Sequence, residues 1–256
     1  MMCFKKKNID IAFGEKTFLG FGINKYGGGN DLNGCVNDIN DAEKKFISLI
    51  PDITPAKFLD KEAKREVFRY QLAKAIEALP KNGTVVLVTD CCFSGSITRS
   101  VVIKKKARFK PSGILPNMGK IRKIAKSDTA KWITISGCGE RQTSADAMIN
   151  GRYNGAFTYV ALTCLKKDMT YRQWFDKIRE QLPSATFEQS PTLEGYDYLT
   201  YRVIGDGPTL IVWYSGHGTY VKDRGGDEAD GYDEAICLYD GNLVDDDLNY
   251  ILRTIK

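Results

Sequence analysis

Three apolar runs of strand length limit what this chain can fold into: Thr84–Asp90, Trp132–Gly137 and Thr209–Ser215. Thr84–Asp90 and Thr209–Ser215 are apolar at every central position rather than at every second one, which is the pattern of a strand buried on both faces, and Trp132–Gly137 reads as another strand of that type. Each also ends abruptly in small or polar residues. Cys91-Cys92-Phe93-Ser94-Gly95-Ser96 comes after the first run, Cys138 and then Gln142-Thr-Ser-Ala-Asp146 after the second, and Gly216-His217-Gly218 after the third. Strands buried on both faces need helices above and below, and the stretches between the runs supply them. Ala42, Phe46 and Ile50 fall at helical spacing behind Asn37-Asp38. Phe68, Leu72, Ile76 and Leu79 do so between Lys61 and Pro80, and Tyr171, Trp174, Ile178 and Leu182 do so further on. Strands alternating with helices predict an α/β fold with a mostly parallel, doubly wound sheet.

In such a sheet ligands and reactive groups gather where the strands end. The only histidine, His217, therefore stands at one strand end and Cys92 at another. Glycines on both sides of His217 leave its ring and the Gly218 amide accessible, an arrangement that burial alone would not require. Cys91 is next to Cys92, but alternation along a strand points it to the opposite face.

A chain of 256 residues, 43% hydrophobic and 27% charged, has enough apolar material for a full α/β core. No apolar segment approaches membrane-spanning length, and the basic start Met1–Asn8 has no apolar region behind it, so no membrane partner and no signal peptide are expected. Seven cysteines, an odd number without a CxxC pair, point to a reducing, cytoplasmic setting. Charge is unevenly placed. Arg99 to Lys126 holds ten Lys or Arg and no acid, which with Pro111, Gly113, Pro116 and Gly119 reads as an exposed linker. Its poor aromatic interleaving argues against nucleic acid as a partner. Asp223 to Asp247 holds ten acids against Arg224 alone, read as an acidic loop leading into a helix at Asp245–Asp247. Two further expectations concern the ends of the sheet: a first strand over Phe18–Tyr26 and an edge strand within Phe187–Leu193 that tolerates Pro191.

Taken together, Tyr214-Ser-Gly-His-Gly218 and Asp90-Cys-Cys-Phe-Ser-Gly95 resemble the histidine and cysteine motifs of metacaspases, caspase-like cysteine peptidases. Gly22–Tyr26, Gly34–Asp38, Gln142–Asp146, Gln189–Gly195 and Gly226–Glu234 agree with the same family, so the resemblance runs from Gly22 to Leu252. Two departures stand out. Phe93 occupies a position where many metacaspases have histidine. The histidine strand also comes last, so that the unit from about Thr209 to Lys256 is transposed relative to the family's order. On this reading one caspase-like domain spans 1–256, with residues 1–98 carrying the cysteine motif, 99–130 the basic linker, 131–204 a p10-like part and 209–256 the transposed unit. That unit packs either in its own chain or, by exchange, in a partner, making a monomer or a segment-exchanged dimer.

The resemblance implies a cysteine endopeptidase with Cys92 as nucleophile and His217 as acid/base. The amides of Gly218 and Cys92 form the oxyanion site, and Cys35, Asp38, Asp90 and Ser215 line a pocket for the Arg or Lys of a protein substrate. It implies calcium held by Asp233, Asp245 and Asp246, and self-cleavage in the linker at Lys104, Lys105, Lys106, Arg108 or Lys110. Asp38 and Asp90 also admit plainer readings as a helix cap and a turn residue, and the transposition leaves open an inactive caspase-like scaffold or binding module.

Overall fold

The structure, a computed structural model, describes residues 10–91, 131–139, 142, 144–195, 201–205, 207–223 and 231–253, and the backbone of 105–107. Chain order gives β1 (Lys16–Gly22), α1 (Cys35–Leu49), β2 (Thr54–Leu59), α2 (Arg65–Ala78), β3 (Thr84–Asp90), β4 (Lys105–Ala107), β5 (Lys131–Ser136), β6 (Ala145–Ile149) and β7 (Arg152–Gly155). Next come α3 (Ala156–Cys164), α4 (Tyr171–Arg179), β8 (Thr192–Glu194), β9 (Thr209–Ser215), β10 (Gly218–Lys222), β11 (Tyr232–Leu238), β12 (Gly241–Val244) and α5 (Asp245–Arg253).

The main sheet has six strands in the order β2-β1-β9-β3-β5-β8, parallel except for β8, which runs antiparallel at one edge. Alternation along β9 shows why its residues take the centre. Ile211 and Trp213 pack with Phe18, Phe46, Phe157 and Trp174 on the face covered by α1, α3 and α4. Leu210, Val212 and Tyr214 pack with Phe21, Phe68, Leu72 and Ile251 on the face covered by α2 and α5. Lys16–Gly22 of β1 pairs residue for residue with Thr209–Ser215, and Thr84–Asp90 of β3 does the same from the other side.

Three sequence expectations are corrected. The first strand ends at Gly22, not Tyr26, because Asn24 and Lys25 donate their amides to Asp60 Oδ1 at 2.7 and 2.9 Å and so leave the ladder. The basic linker is not free chain throughout, since Lys105–Ala107 pairs with Ala145–Ala147 as an edge strand. Part of the acidic loop is regular: β10, β11 and β12 form an antiparallel meander. Helix α3 has no counterpart in the sequence pattern. Seven of its nine residues are buried, so Ala156–Cys164 has no amphipathic stripe to read. The edge strand is found at Thr192–Glu194, just beyond Pro191.

Trp174 lies fully buried under the sheet, with its Nε1 donating to the Ala161 carbonyl at 2.7 Å and its ring 6.4 Å from that of Trp213. Trp174→Ala is expected to lower unfolding free energy by about 3–5 kcal/mol in urea titrations. Ile47→Ala, on the exposed side of α1, should change it by about 0.5 kcal/mol or less.

Candidate active site

Register brings three strand ends level. Ser215, the last residue of β9, stands opposite Gly22 of β1 and Asp90 of β3, so the chain leaves all three strands on one rim. The first turn of α1 lies against this rim and adds Cys35 and Asp38. Cys35, Asp38, Asp90 and Ser215 are all completely buried. Ser215 Oγ donates to Asp38 Oδ2 at 2.7 Å, which ties β9 to α1.

Two buried carboxylates this close to one strand end need strong partners. They share one: the N-terminal turn of α3, where free N–H groups and the helix dipole favour negative charge. The amide of Gly155, the residue capping α3, donates to both oxygens of Asp38 at 2.9 and 3.1 Å. The amide and hydroxyl of Thr158 donate to Asp90 Oδ2 at 3.0 and 2.7 Å. Asn154 adds a bond to Asp38 Oδ1, and the Ser144 hydroxyl one to Asp90 Oδ1. Behind them Gln189 links Ser144, the Gly137 carbonyl and the Ala145 amide. Asp146 reaches from β6 to cap α1, accepting from Asn33 and Gly34.

His217 is 3% exposed and held from two directions. Its Nε2 lies 2.7 Å from the Asn30 carbonyl. A carbonyl only accepts, so Nε2 carries the hydrogen and, in the neutral ring, Nδ1 is the basic nitrogen. Its backbone amide donates to the Tyr26 hydroxyl at 2.9 Å, and the Tyr26 ring packs against the imidazole at 4.6 Å. Tyr214 donates to the carbonyls of His217 and Cys237, and Tyr26 to that of Cys237. Burial pushes both phenols well above their ordinary pKa, with Cys35 and Cys237 adding to the effect at Tyr26, so both stay protonated donors. Gly218 is the next residue and opens β10.

Cys92 lies outside the described residues. Its neighbour Cys91 is 1% exposed and packs with Val85 and Leu87 on the α2 face, continuing the odd-numbered side of β3. Its carbonyl accepts from Cys138 Sγ at 3.2 Å. Of the expected cleavage positions, Lys105 and Lys106 are in β4, and Lys104, Arg108 and Lys110 lie outside the described residues. Asp233 is buried in β11, and Asp245 and Asp246 form the first turn of α5. Among the described residues no three acids, cysteines or histidines come together as metal ligands, so these three Asp do not make a calcium site by themselves. Asp227, Glu228 and Asp230 of the same loop lie outside the described residues.

Sequence reasoning does not find most of the residues that hold the site: Asn30, Tyr26, Asn154, Thr158 and Gln189. Tyr26 and Gln189 stand in segments that match the family, but neither is marked there as a partner of the histidine or the acids. Asn30 acts through its carbonyl, Thr158 from a helix without a stripe, and Asn154 through a side-chain amide on the short strand β7.

Gly216 has no room for a side chain, because a Cβ there would run into the hydroxyls of Tyr26 and Tyr214. Gly216→Ala is expected to cost about 1–3 kcal/mol of stability, read from the urea midpoint, by driving apart the two phenols under the histidine.

The Caspase domain family matches residues 51–198, more than half of the chain. That span includes β3 and the cysteine motif and stops before β9. Metacaspase-1 of Arabidopsis thaliana is 47% identical over 47 residues, which are 17% of this chain and 13% of that protein. Metacaspase-1 of Coccidioides immitis is 41% identical over 73 residues, 28% of this chain and 16% of that protein. The chain thus aligns with only a small part of these relatives' length. The crystal structure of protein GSU0716 from Geobacter sulfurreducens superposes with a TM-score of 0.51 at 17% identity, covering 74% of this chain and 98% of that one, a likeness of fold. With a family match that covers β2 to β8 and a mostly parallel sheet flanked by helices, this chain belongs to the Caspase domain family.

Proposed function

We propose that this chain is a cysteine endopeptidase of metacaspase type that cleaves proteins after Arg or Lys, with Cys92 as nucleophile and His217 as acid/base. The observation that carries the reading is the state of His217. It is the only imidazole in the chain, stands at the rim where β3 ends, and has its Nε2 hydrogen committed to Asn30, which leaves Nδ1 as the base.

In this mechanism Nδ1 takes the thiol proton of Cys92, and the thiolate attacks the scissile carbonyl carbon. A C–S bond forms as the carbonyl π pair moves to oxygen, where the amides of Gly218 and Cys92 donate to it. The oxyanion collapses, the C–N bond breaks, and His217 passes its proton to the leaving amine. Water then gives a proton to Nδ1 and attacks the thioester, and Cys92 departs as thiolate. Asp38 and Asp90 supply negative charge for the side chain of the residue before the cleaved bond, with Ser215 and Cys35 as walls. Charge complementarity therefore favours Lys or Arg over Asp at that position.

Fluorogenic peptides ending in Arg or Lys should be hydrolysed far faster than one ending in Asp. Cys92→Ala should lose activity by about a thousandfold or more. No turnover by wild type above the background seen with Cys92→Ala would instead indicate an inactive caspase-like scaffold.

Calcium is proposed as an activator acting at Asp233, Asp245 and Asp246, supplemented by acids of the intervening loop. These carboxylates would hold the ion, which would supply charge neutralisation there. Chelation is expected to lower peptide hydrolysis, and Asp233→Asn to abolish the response to added calcium. The same incubations, resolved by mass spectrometry, should show self-cleavage at Lys104, Lys105, Lys106, Arg108 or Lys110. Cleavage after Lys105 or Lys106 requires β4 to leave β6.

A further inference from the structure

The carbonyl that accepts the hydrogen bond from His217 Nε2 sits just after a weakly constrained stretch of backbone. Gly27, Gly28 and Gly29 are consecutive residues in the left-handed region, with φ of 71°, 60° and 85°. A Cβ on Gly27 or Gly29 would meet nothing within 4 Å. Such a triplet has large backbone freedom and no side chain to pack, so hydrogen bonds must set where Asn30 goes.

Those bonds converge on Asp31. Its Oδ1 accepts the amides of Tyr26 and Gly27, both at 2.8 Å, and its Oδ2 faces Lys25 Nζ at 3.2 Å. The Asn30 amide closes back on the Gly27 carbonyl at 3.1 Å, and Leu32 returns to Asn24 at 2.8 Å. The carboxylate thus fastens both ends of the glycine turn from the residue directly after Asn30. The Gly27 and Tyr26 amides, followed by Lys25, hold its pKa below the usual carboxylate value, which agrees with the ionised form being the one bonded. Tyr26 is itself shared: its amide goes to Asp31 while its hydroxyl accepts the His217 amide.

We infer that Asp31 is a positioning residue for His217, its carboxylate fixing the glycine turn so that the Asn30 carbonyl meets Nε2 and keeps the imidazole in the Nε2–H form. The inference rests on the reading of His217 as the acid/base. In the wrong tautomer the base nitrogen would face Asn30 and the hydrogen would face the thiol, so proton transfer would fail while substrate binding would not.

Because the chain has one histidine, its tautomer can be read without assignment, from a long-range proton–nitrogen correlation of protein labelled with nitrogen-15 in histidine. At pH about 8, where a free imidazole is neutral, wild type should show the Nε2–H pattern alone. Asp31→Ala should show a mixture of both tautomers, with kcat on an Arg peptide down roughly tenfold and KM within about twofold. Asp31→Asn keeps an acceptor oxygen for the two amides and should restore the wild-type spectrum and most of kcat. Lys25→Ala removes only the exposed charge partner and should leave both readouts as in wild type. A wild-type ring already spread over two tautomers, or an Asp31→Ala spectrum matching wild type, would overturn the assignment. Should Cys92→Ala hydrolyse peptides as wild type does, the peptidase reading falls, and the spectra still decide the role of Asp31.

Discussion

Everything at the rim depends on β9 being clamped between β1 and β3. A seven-residue strand with ladders on both sides has no freedom to slide, since a slip of one residue would exchange Ile211 and Trp213 with Leu210 and Val212 between two different cores. That register sets Ser215 level with Asp90, and hence His217 beside the end of β3. The chemistry proposed for this molecule needs a thiol and an imidazole to meet, and the sheet alone brings the second of them to the rim.

The second constraint is electrostatic. Asp38 and Asp90 are removed from water, and each is satisfied by the amide of a residue in or just before the first turn of α3. Helix α3 therefore acts as the shared anchor of two acids that come from α1 and β3. Backbone amides, a threonine, a serine and an asparagine are among the groups that hold them there.

The central strands β3 and β9 and their ends are legible in the sequence because both-face burial writes itself as an unbroken apolar run, and the amphipathic helices α1, α2 and α4 because one-face burial writes itself as a stripe. Helix α3 is not, since a helix surrounded by protein has no stripe. The partners of His217 are hidden for a different reason. Asn30 contributes a carbonyl, which every residue has, and Asp31 works on amides, so no side-chain pattern announces either. Placing Cys35, Asp38, Asp90 and Ser215 together takes the family resemblance, and their actual bonds take the fold. The basic linker shows how charge misleads: a lysine-rich stretch reads as solvated chain, yet Lys105–Ala107 joins β6 through backbone groups that charge does not affect.

The place of β9 in the chain has a consequence for how the molecule comes into being. On the ribosome β1 and β3 emerge long before the strand that joins them, and Lys16 is separated from its partner Thr209 by most of the polypeptide. Until then the nascent sheet is split down its middle, with two inner edges exposed to water and the cysteine segment already synthesised. The histidine arrives in the same short segment that heals the split, so closure of the sheet and delivery of the base are one event. A half-translated copy therefore lacks the imidazole that the proposed chemistry needs.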